Sequence, residues 1–333
     1  MKKYDSLNGV RTISCIGILL MHVLSNSSYE LNPILSETIY KCTHFVFLFM
    51  ILSAFSMCCG YFEKIKNNKI SVEEFYKKRI KKILPFFAIL VLIDIIVEHN
   101  ISSLIEGFAD VTLLFGFIPN EITVIGVGWF IGLVFLFYLM FPFFVYLFSN
   151  KKRAWIVTII ALFMNISSTA YFNIGRTNMF YSFLFFCIGG LIFLYKDKLI
   201  ELFQGSRFFS LTMLLSSIGL FFLSFDNEYI LMGQIILYSI IIIIYAISFD
   251  KSLLNNKFTS FIGSISLEIY LSHMIVFRIL EKIHILSIIN NQYISYCIIT
   301  ILVLVGTIII AQLFKVFERF IKNKVLKHEN ITS

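Results

Sequence analysis

The sequence predicts an all-α protein, a polytopic transmembrane helix bundle of about ten spans with both termini in the cytoplasm. Of its 333 residues, 58% are hydrophobic and only 14% are charged, whereas soluble domains average about 45–50% apolar and about 25% charged residues. Only four prolines interrupt the long apolar runs, and the segments of about ten residues with alternating polarity that mark a membrane β-barrel are not seen. These observations indicate a helical integral membrane protein that forms one domain over residues 1–333.

Ten apolar segments approach the length of about 20 residues that a helix needs to cross a bilayer. They are 9–28, 43–62, 83–99, 129–149, 154–172, 178–195, 208–225, 229–249, 259–277 and 293–314. Residues 98–128 are apolar only in part and are broken by Pro119 and several glycines. We therefore expect this region to lie outside as an interfacial or re-entrant piece.

The basic residues alternate from loop to loop, and this alternation predicts the orientation. With a cytoplasmic N-terminus, the inside segments collect the run "KIKNNKISVEEFYKKRIKK" and the basic C-terminal tail, and the outside segments keep only Lys41, Arg176, Arg278 and Lys282. The opposite orientation would violate the positive-inside rule at nearly every loop. The net charge of +8 is therefore mostly a topology signal, and no nucleic-acid partner is predicted.

The six cysteines fall in or beside apolar runs, without a CxxC or Cys/His spacing. We interpret them as small hydrophobic residues, so neither a disulfide framework nor a metal site is predicted. The Met-Lys-Lys start imitates a signal peptide, but Asp5 and Arg11 interrupt the apolar run that follows it. We expect this segment to be an uncleaved first span.

The first predicted span, "NGVRTISCIGILLMHVLSN", carries two ionisable residues, Arg11 and His22. Eleven residues make about three helical turns, so the two side chains share one stripe and lie about 16.5 Å apart along the axis. An ionisable residue within a span is costly and usually faces the bundle interior or a wet cavity, so both are functional candidates. The alternatives are a snorkelling anchor for Arg11 and a buried neutral imidazole that joins two helices for His22.

The ninth predicted span has a second stripe. Gly263, Ser266, Tyr270 and His273 are spaced i, i+3, i+7 and i+10, which predicts one helical face. Because this span also runs from inside to outside, His273 is expected at about the depth of His22, and a common polar cavity is the functional interpretation. Close helix packing at Gly and Ser, with Tyr and His as interhelical hydrogen-bonding residues, is the structural alternative.

These stretches resemble the motifs of the acyltransferase-3 family of membrane O-acyltransferases. "LNGVRTISCIGILLMHV" is similar to the Arg-x10-His signature that opens the family, and "FLFMILSAFSMCCGYF" to its FFxLSGF-type second span. "FYKKRIKKILPFF" resembles F-x-x-R-x-x-(K/R)-I-x-P, "GWFIGLVFLFYLMFP" resembles W-x-L…Y-L…P, "IGSISLEIYLSH" resembles G-x-x-S-x-x-x-Y-L-x-H, and "FERFI" resembles the closing E-(R/K)-F. The six matches occur in the family's order and cover nearly the whole chain. One departure is Val134, where the commoner W-segment carries a Glu.

The resemblance implies an acyl-CoA-dependent O-acyltransferase in the stand-alone form, without a soluble hydrolase-like domain. The implied donor is acyl-CoA, usually acetyl-CoA, as a substrate and not as a bound cofactor. The implied acceptor is a hydroxyl of an extracytoplasmic or cell-surface carbohydrate. The implied location is the cell membrane as a multi-pass protein, in particular the bacterial cytoplasmic membrane; the sequence predicts no oligomeric state.

The resemblance also implies roles for the donor side of the site and for the reaction centre. His22 is expected to act as general base on the acceptor hydroxyl, or, in a variant of the mechanism, to attack first and form a transient acyl-histidine. His273 is the second catalytic candidate. Arg11 and Arg79 are expected to bind the donor phosphates, since Arg favours bidentate phosphate contacts. Within the basic run, Arg79 alone matches the family motif.

On the acceptor side, four further residues are candidates. Ser266 and Tyr270 are expected to orient the acceptor or to stabilise a developing oxyanion. Trp129 is either a platform on which a sugar stacks or an interfacial aromatic anchor. Arg176 is either a site for an acidic sugar or a lipid-linked phosphate, or a surface anchor.

Two other functions stay open at this point. The first is a transporter that moves a sugar or a lipid-linked glycan through the same polar cavity, and the second is an acyltransferase that modifies a small secondary metabolite by the same chemistry. Transporters often show internal repeats and broken helices in matching halves, and the sequence shows neither clearly.

Overall fold

The computed structural model describes residues 4–98, 100–117, 126–223, 225, 227–249, 252–283 and 291–332. These residues are helical almost throughout and contain no strand, which confirms the all-α helical bundle. The chain divides into a larger unit, Met1–Ser14 with Thr43–Gly263, and a smaller unit, Cys15–Cys42 with Ser264–Ser333. A single domain over the whole chain stays a prediction.

The helices of the described residues follow one another with short connections. They are α1 (Leu7–Ser25), α2 (Pro33–Lys41), α3 (Phe45–Lys66), α4 (Val72–Glu98), α5 (Ile101–Val111), α6 (Trp129–Phe148), α7 (Lys151–Ala170), α8 (Met179–Gly205), α9 (Arg207–Phe222), α10 (Glu228–Ser248), α11 (Lys257–Ser264), α12 (Ser266–Lys282) and α13 (Gln292–Thr332). Single 3₁₀ turns lie at Cys42–His44 and Phe115–Phe117.

Within these ranges, seven helical segments are long and apolar enough to cross a membrane, with Pro33–Lys66 counted as one, and the bent pair α11 and α12 would make an eighth. Helix α9 is apolar but shorter. Nine of the ten predicted segments lie mainly on one helix each, and the ninth is divided between α11 and α12. Helices α4 and α9 do not meet the same requirement of length and composition. The number of about ten spans and the side on which each terminus lies therefore stay predictions.

Stacked aromatic rings form the core of the larger unit. Phe137 of α6 and Phe186 of α8 stack with centroids 4.1 Å apart, and Phe47 of α3 stacks on Phe185 of α8 at 4.3 Å. Helix α8 approaches α3 closely at Gly189, where an added Cβ would meet the carbonyl of Ile51. Since offset aromatic stacks and small residues both allow tight packing, α8 packs closely against both α3 and α6.

In the smaller unit, the C-terminal half of α1 packs with α12 and α13. The Tyr296 hydroxyl of α13 donates a hydrogen bond to the carbonyl of Leu20 in α1 (3.0 Å). Helix α2 begins after Asn32, whose backbone N–H donates to the hydroxyl of Tyr293 (2.9 Å). Helix α13 therefore fixes both the end of α1 and the start of α2.

The region 98–128 is only partly within the described residues. Helix α5 packs against α4, and a 3₁₀ turn follows at Phe115–Phe117. Residues 118–125 lie outside the described residues. The interfacial or re-entrant placement of this region stays a prediction.

The ninth predicted segment is not one helix. Helix α11 ends at Ser264 and α12 begins at Ser266, and Ile265 between them has non-helical dihedrals (φ −117°, ψ 16°). The prediction that Gly263 shares a helical face with the three residues of α12 is therefore wrong. Gly263 instead lies directly against the backbone of Asn8, and the weak helix propensities of Gly and Ser make a break at this point inexpensive.

Replacing Gly263 with alanine is expected to lower the melting temperature of the detergent-solubilised protein. An added Cβ would meet the main-chain carbonyl of Asn8, which cannot move aside as a side-chain tip can, and overpacking of this kind costs about 1–3 kcal/mol. Gly233→Ala in α10 is the matched control, because its Cβ would find no atom within 4 Å. Equal melting temperatures for the two variants would contradict the tight contact at Gly263.

Candidate functional site

Two imidazoles lie side by side in the smaller unit. His22 is near the C-terminal end of α1 and His273 is in α12, and their ring centroids are 5.1 Å apart with the planes inclined at 49°. His273 is 1% exposed, and His22 is half-buried. The structure thus brings together the two histidines that the sequence placed at similar depth.

The hydrogen bond of His273 defines its tautomer. Its Nδ1 lies 2.6 Å from the carbonyl oxygen of Tyr270, and because a carbonyl only accepts, Nδ1 carries the hydrogen. In the neutral ring, Nε2 then holds the lone pair. This Nε2 is buried and has no hydrogen-bond partner among the described residues. An unsatisfied buried group costs about 1–3 kcal/mol, so Nε2 is a ready acceptor for a substrate or for a neighbouring N–H.

Two further predicted residues lie on the same helix as His273. Ser266 begins α12, is 7% exposed and accepts a hydrogen bond through its carbonyl from the thiol of Cys15 in α1 (3.5 Å). The Tyr270 ring centroid is 6.0 Å from that of His273. Because Ser266, Tyr270 and His273 are spaced i, i+4 and i+7, they share one face of α12.

Arg11 is half-buried in the larger unit and bonds to protein groups. Its Nη1 donates to Asn8 Oδ1 (2.8 Å), and its Nη2 donates to Ser56 Oγ of α3 (2.9 Å). Both acceptors are neutral, and no carboxylate within the described part of the chain forms an ion pair with this guanidinium. Arg11 is therefore a cation held by α3, with its charge not neutralised by a fixed acidic partner.

Arg79 of α4 turns inward, unlike the lysine beside it. Its Nη2 donates to the Tyr61 hydroxyl (2.6 Å), its Nη1 lies 3.4 Å from the Met57 sulfur, and its guanidinium carbon is 4.6 Å from the Tyr61 ring centroid. Its Nε is buried and finds no hydrogen-bond partner in the described ranges. Lys78 instead forms an exposed ion pair with Glu74 (2.5 Å). The structure thus separates Arg79 from the solvated charges of the basic run.

Tyr138 of α6 joins the two predicted donor-binding arginines, and the sequence reasoning missed it. Its ring centroid is 5.8 Å from the Arg79 guanidinium, and both Arg79 and Arg11 act electrostatically on its hydroxyl. We call Arg11, Arg79, Tyr61 and Tyr138 the arginine–tyrosine cluster. The sequence feature that could have identified it is a tyrosine in a helix otherwise rich in Phe and Leu. A buried Tyr hydroxyl usually has a polar neighbour, so such a residue indicates a polar contact.

Arg176 and Trp129, two of the candidates for the acceptor side, contact each other. The Arg176 guanidinium carbon lies 5.6 Å from the Trp129 ring centroid, and its Nη1 donates to Thr43 Oγ1 (2.7 Å). Thr43 lies just before α3, whereas Tyr61 lies near its end. The Arg176–Trp129 contact and the arginine–tyrosine cluster are therefore separated along α3 by about 27 Å, from the helical rise per residue, which is close to the thickness of about 30 Å of a hydrocarbon core.

The predicted residues therefore fall into three places: the histidine pair with its neighbours on α12, the arginine–tyrosine cluster, and the Arg176–Trp129 contact. Helix α1 carries one residue of the first place and one of the second, His22 and Arg11. Within the described residues, no group of three or more His, Cys, Asp or Glu side chains is arranged to hold a metal ion.

Comparison with known proteins gives one match. The family model described as "Acyltransferase domain" matches residues 4–315, which is nearly the whole chain and includes all three places. The searches of curated proteins and of solved structures returned no match.

Proposed function

The chain belongs to the acyltransferase-3 family, and on that premise we propose that it transfers an acyl group, such as acetyl, from cytoplasmic acyl-CoA to a hydroxyl of an extracytoplasmic glycan. Its helices are those of a multi-pass membrane protein, for which we propose the cell membrane as the location. The observation that carries the proposal is the histidine pair, in which His273 offers a buried acceptor nitrogen beside His22.

We assign the proton transfer to His22. A neutral imidazole nitrogen of His22 accepts the proton of the acceptor hydroxyl as the hydroxyl oxygen attacks the thioester carbonyl, the role of a general base. When the tetrahedral intermediate collapses, the carbon–sulfur bond breaks and the CoA thiolate takes the proton from His22. The products are the acyl ester and CoA thiol, and the histidine returns to its neutral form.

His273 supports this step as a positioning residue. Its Nδ1–H is held by the Tyr270 carbonyl, so its Nε2 is free to accept a hydrogen bond from the other ring N–H of His22. Such a bond orients the base and stabilises the imidazolium while it carries the proton, which is the arrangement of a base oriented by a third group. The distance of 5.1 Å between the ring centroids allows this contact after rotation of the His22 side chain.

The arginine–tyrosine cluster is the proposed site for the donor phosphates. Arg11 and Arg79 each bond to neutral acceptors, and a buried Nε on Arg79 has a hydrogen still to donate. Guanidinium groups bind phosphate by paired N–H donors, and these charge-assisted bonds are stronger than neutral ones. Because the positive-inside rule places this end of α4 in the cytoplasm, the cluster lies on the side where acyl-CoA is available.

The role of His273 predicts unequal effects of two substitutions. His273→Ala removes the acceptor nitrogen and is expected to lower kcat by about 10- to 100-fold, because one hydrogen bond to a charged group is lost. The KM for acyl-CoA is expected to change little. His273→Gln keeps an acceptor oxygen and is expected to retain a larger share of kcat. Equal kcat for the two variants, or a loss expressed in KM for acyl-CoA, would contradict the positioning role.

Transfer of label from radiolabelled acetyl-CoA tests the activity itself. Membranes that contain the protein are expected to move the label to a glycan, and those with the His22→Ala variant are not. The break between α11 and α12 is a feature that transporters also show, so the assay also follows movement of unlabelled glycan across the membrane. Glycan that crosses while the label stays on CoA would replace the acyltransferase with a transporter, and label recovered in a small soluble product would change the acceptor class.

A further inference from the structure

The larger unit contains a cavity of about 380 Å³ to which the proposed chemistry assigns no role. It lies where α3, α8 and α10 begin and where α7 ends. By the distribution of basic residues, these helix ends face the extracytoplasmic side. Its lining includes the side chains of His44, Phe47, Asn173, Arg176, Tyr181 and Glu228. The volume lies in the range of about 300–1,000 Å³ that is typical of small-molecule sites.

Opposite charges line this cavity without neutralising each other. Arg176 is half-buried and donates to Thr43, and Glu228 is exposed at the start of α10. Among the described residues the two do not form an ion pair. The cavity therefore presents to one ligand a donor group held in place by Thr43 and an acceptor carboxylate. Asn173 adds an amide, which can both donate and accept.

Aromatic rings form the apolar wall of the cavity. Phe47 stacks on Phe185 with centroids 4.3 Å apart, His44 stacks on Phe47 at 6.1 Å, and Tyr181 lies 6.2 Å from Phe185. The negative face of an aromatic ring attracts the positively polarised C–H groups of a ligand. A lipid tail offers no polar group to Arg176 or Glu228, and a polyanion such as a nucleotide would be repelled by Glu228.

We propose that this cavity binds one sugar residue, either neutral or a uronic acid. The C–H face of the sugar ring packs on the half-buried Tyr181 ring, its hydroxyls donate to Glu228, and its ring substituents accept from Arg176. The assignment of this sugar to the acyl acceptor rests on the proposed function, whereas the binding of a sugar does not.

Trp129 provides a reporter for the cavity. The chain has two tryptophans, and Trp155→Phe leaves Trp129, whose ring lies under the Arg176 guanidinium. We expect a saturable change in the fluorescence of this single-tryptophan protein in detergent when glucose, N-acetylglucosamine or glucuronate is added. Glu228→Gln is expected to weaken that binding by about tenfold or more, because it removes a charge-assisted hydrogen bond. A flat titration with all three sugars would overturn the proposal.

A control substitution far from the cavity tests whether the effect of Glu228→Gln is local. Arg153 stacks on the Tyr146 ring at 4.4 Å, at the opposite end of α7, and Arg153→Gln is expected to leave the sugar affinity unchanged. Equal weakening by Arg153→Gln and Glu228→Gln would also overturn the proposal, since the effect would then be general.

The outcomes also distinguish this site from the proposed reaction. The His22→Ala variant is expected to bind sugar with the affinity of the parent protein although it does not transfer acyl groups. Sugar binding without any acyl transfer by the parent protein would refute the reaction and leave the sugar site in place. Acyl transfer with an unchanged acceptor KM in Glu228→Gln would refute the assignment of this sugar to the acceptor.

Discussion

Acyl transfer is expected to fall by about 10²- to 10⁴-fold when His22 is replaced by alanine, because a positioned general base contributes that much to a proton transfer. The loss should appear in kcat, since His22 acts on the acceptor hydroxyl, while Arg11 and Arg79 keep their hydrogen bonds to Ser56 and Tyr61. The measurement is the rate of label transfer from radiolabelled acetyl-CoA by purified protein in lipid nanodiscs, with the KM for acyl-CoA determined in parallel.

A second substitution on the same contact surface shows whether the imidazole or the position of α1 causes this loss. Tyr296→Phe removes the hydroxyl that donates to the carbonyl of Leu20 and leaves both histidines in place. It removes one neutral hydrogen bond and is expected to cost at most about tenfold in rate. If Tyr296→Phe matched His22→Ala, the assignment of His22 as the base would be wrong.

Arg79→Ala is expected to raise the dissociation constant for acyl-CoA by about 10- to 100-fold. This is the effect of losing one hydrogen bond between charged groups. Arg79→Lys is expected to recover little, because an ammonium cannot reproduce the planar fork that bonds Tyr61 and a phosphate together. Binding is measured by calorimetry with CoA and with acetyl-CoA. The adjacent Lys78→Ala is the matched control, and since Lys78 is exposed and paired with Glu74, its effect should stay within about twofold.

Arg79 also helps to hold α4 against α3, so a folding effect needs its own control. Tyr61→Phe removes the hydroxyl that accepts from Arg79 Nη2 (2.6 Å) but keeps the cation. We expect it to lower the melting temperature about as much as Arg79→Ala while it preserves most of the affinity for CoA. If affinity fell in proportion to stability in all three variants, Arg79 would be a structural residue and not a ligand for the donor.

Composition, the distribution of basic residues and residue spacing within single helices predicted much of the fold and of the candidate site. Composition and the positive-inside charges predicted a helical membrane protein, because hydrocarbon requires every backbone group to be bonded within its own segment. The spacing of Arg11 and His22 predicted one shared stripe, and α1 is one continuous helix through both residues. The depth argument predicted His273 at the level of His22, and the rings lie 5.1 Å apart.

The features that were missed depend on contacts between remote segments. Next to the break at Ile265, Gly263 contacts the backbone of Asn8, more than 250 residues away in the sequence. Helical periodicity carries no information about that contact. Tyr138 interacts with both Arg11 and Arg79, which lie 127 and 59 residues away from it in the sequence. The cavity near Arg176 likewise arises from the ends of four helices, whereas the sequence indicated a single arginine.

The hydrogen bond from His273 Nδ1 to the carbonyl of Tyr270 has a consequence for how such a protein can diversify. The partner is a main-chain atom one turn back on the same helix, so the placement of the hydrogen on the ring depends on no neighbouring side chain. Substitutions around the imidazoles, Tyr270→Phe included, can reshape the space for a new substrate without moving that hydrogen. The choice of substrate can therefore change independently of the position of the hydrogen on His273. That position is maintained for as long as α12 remains helical.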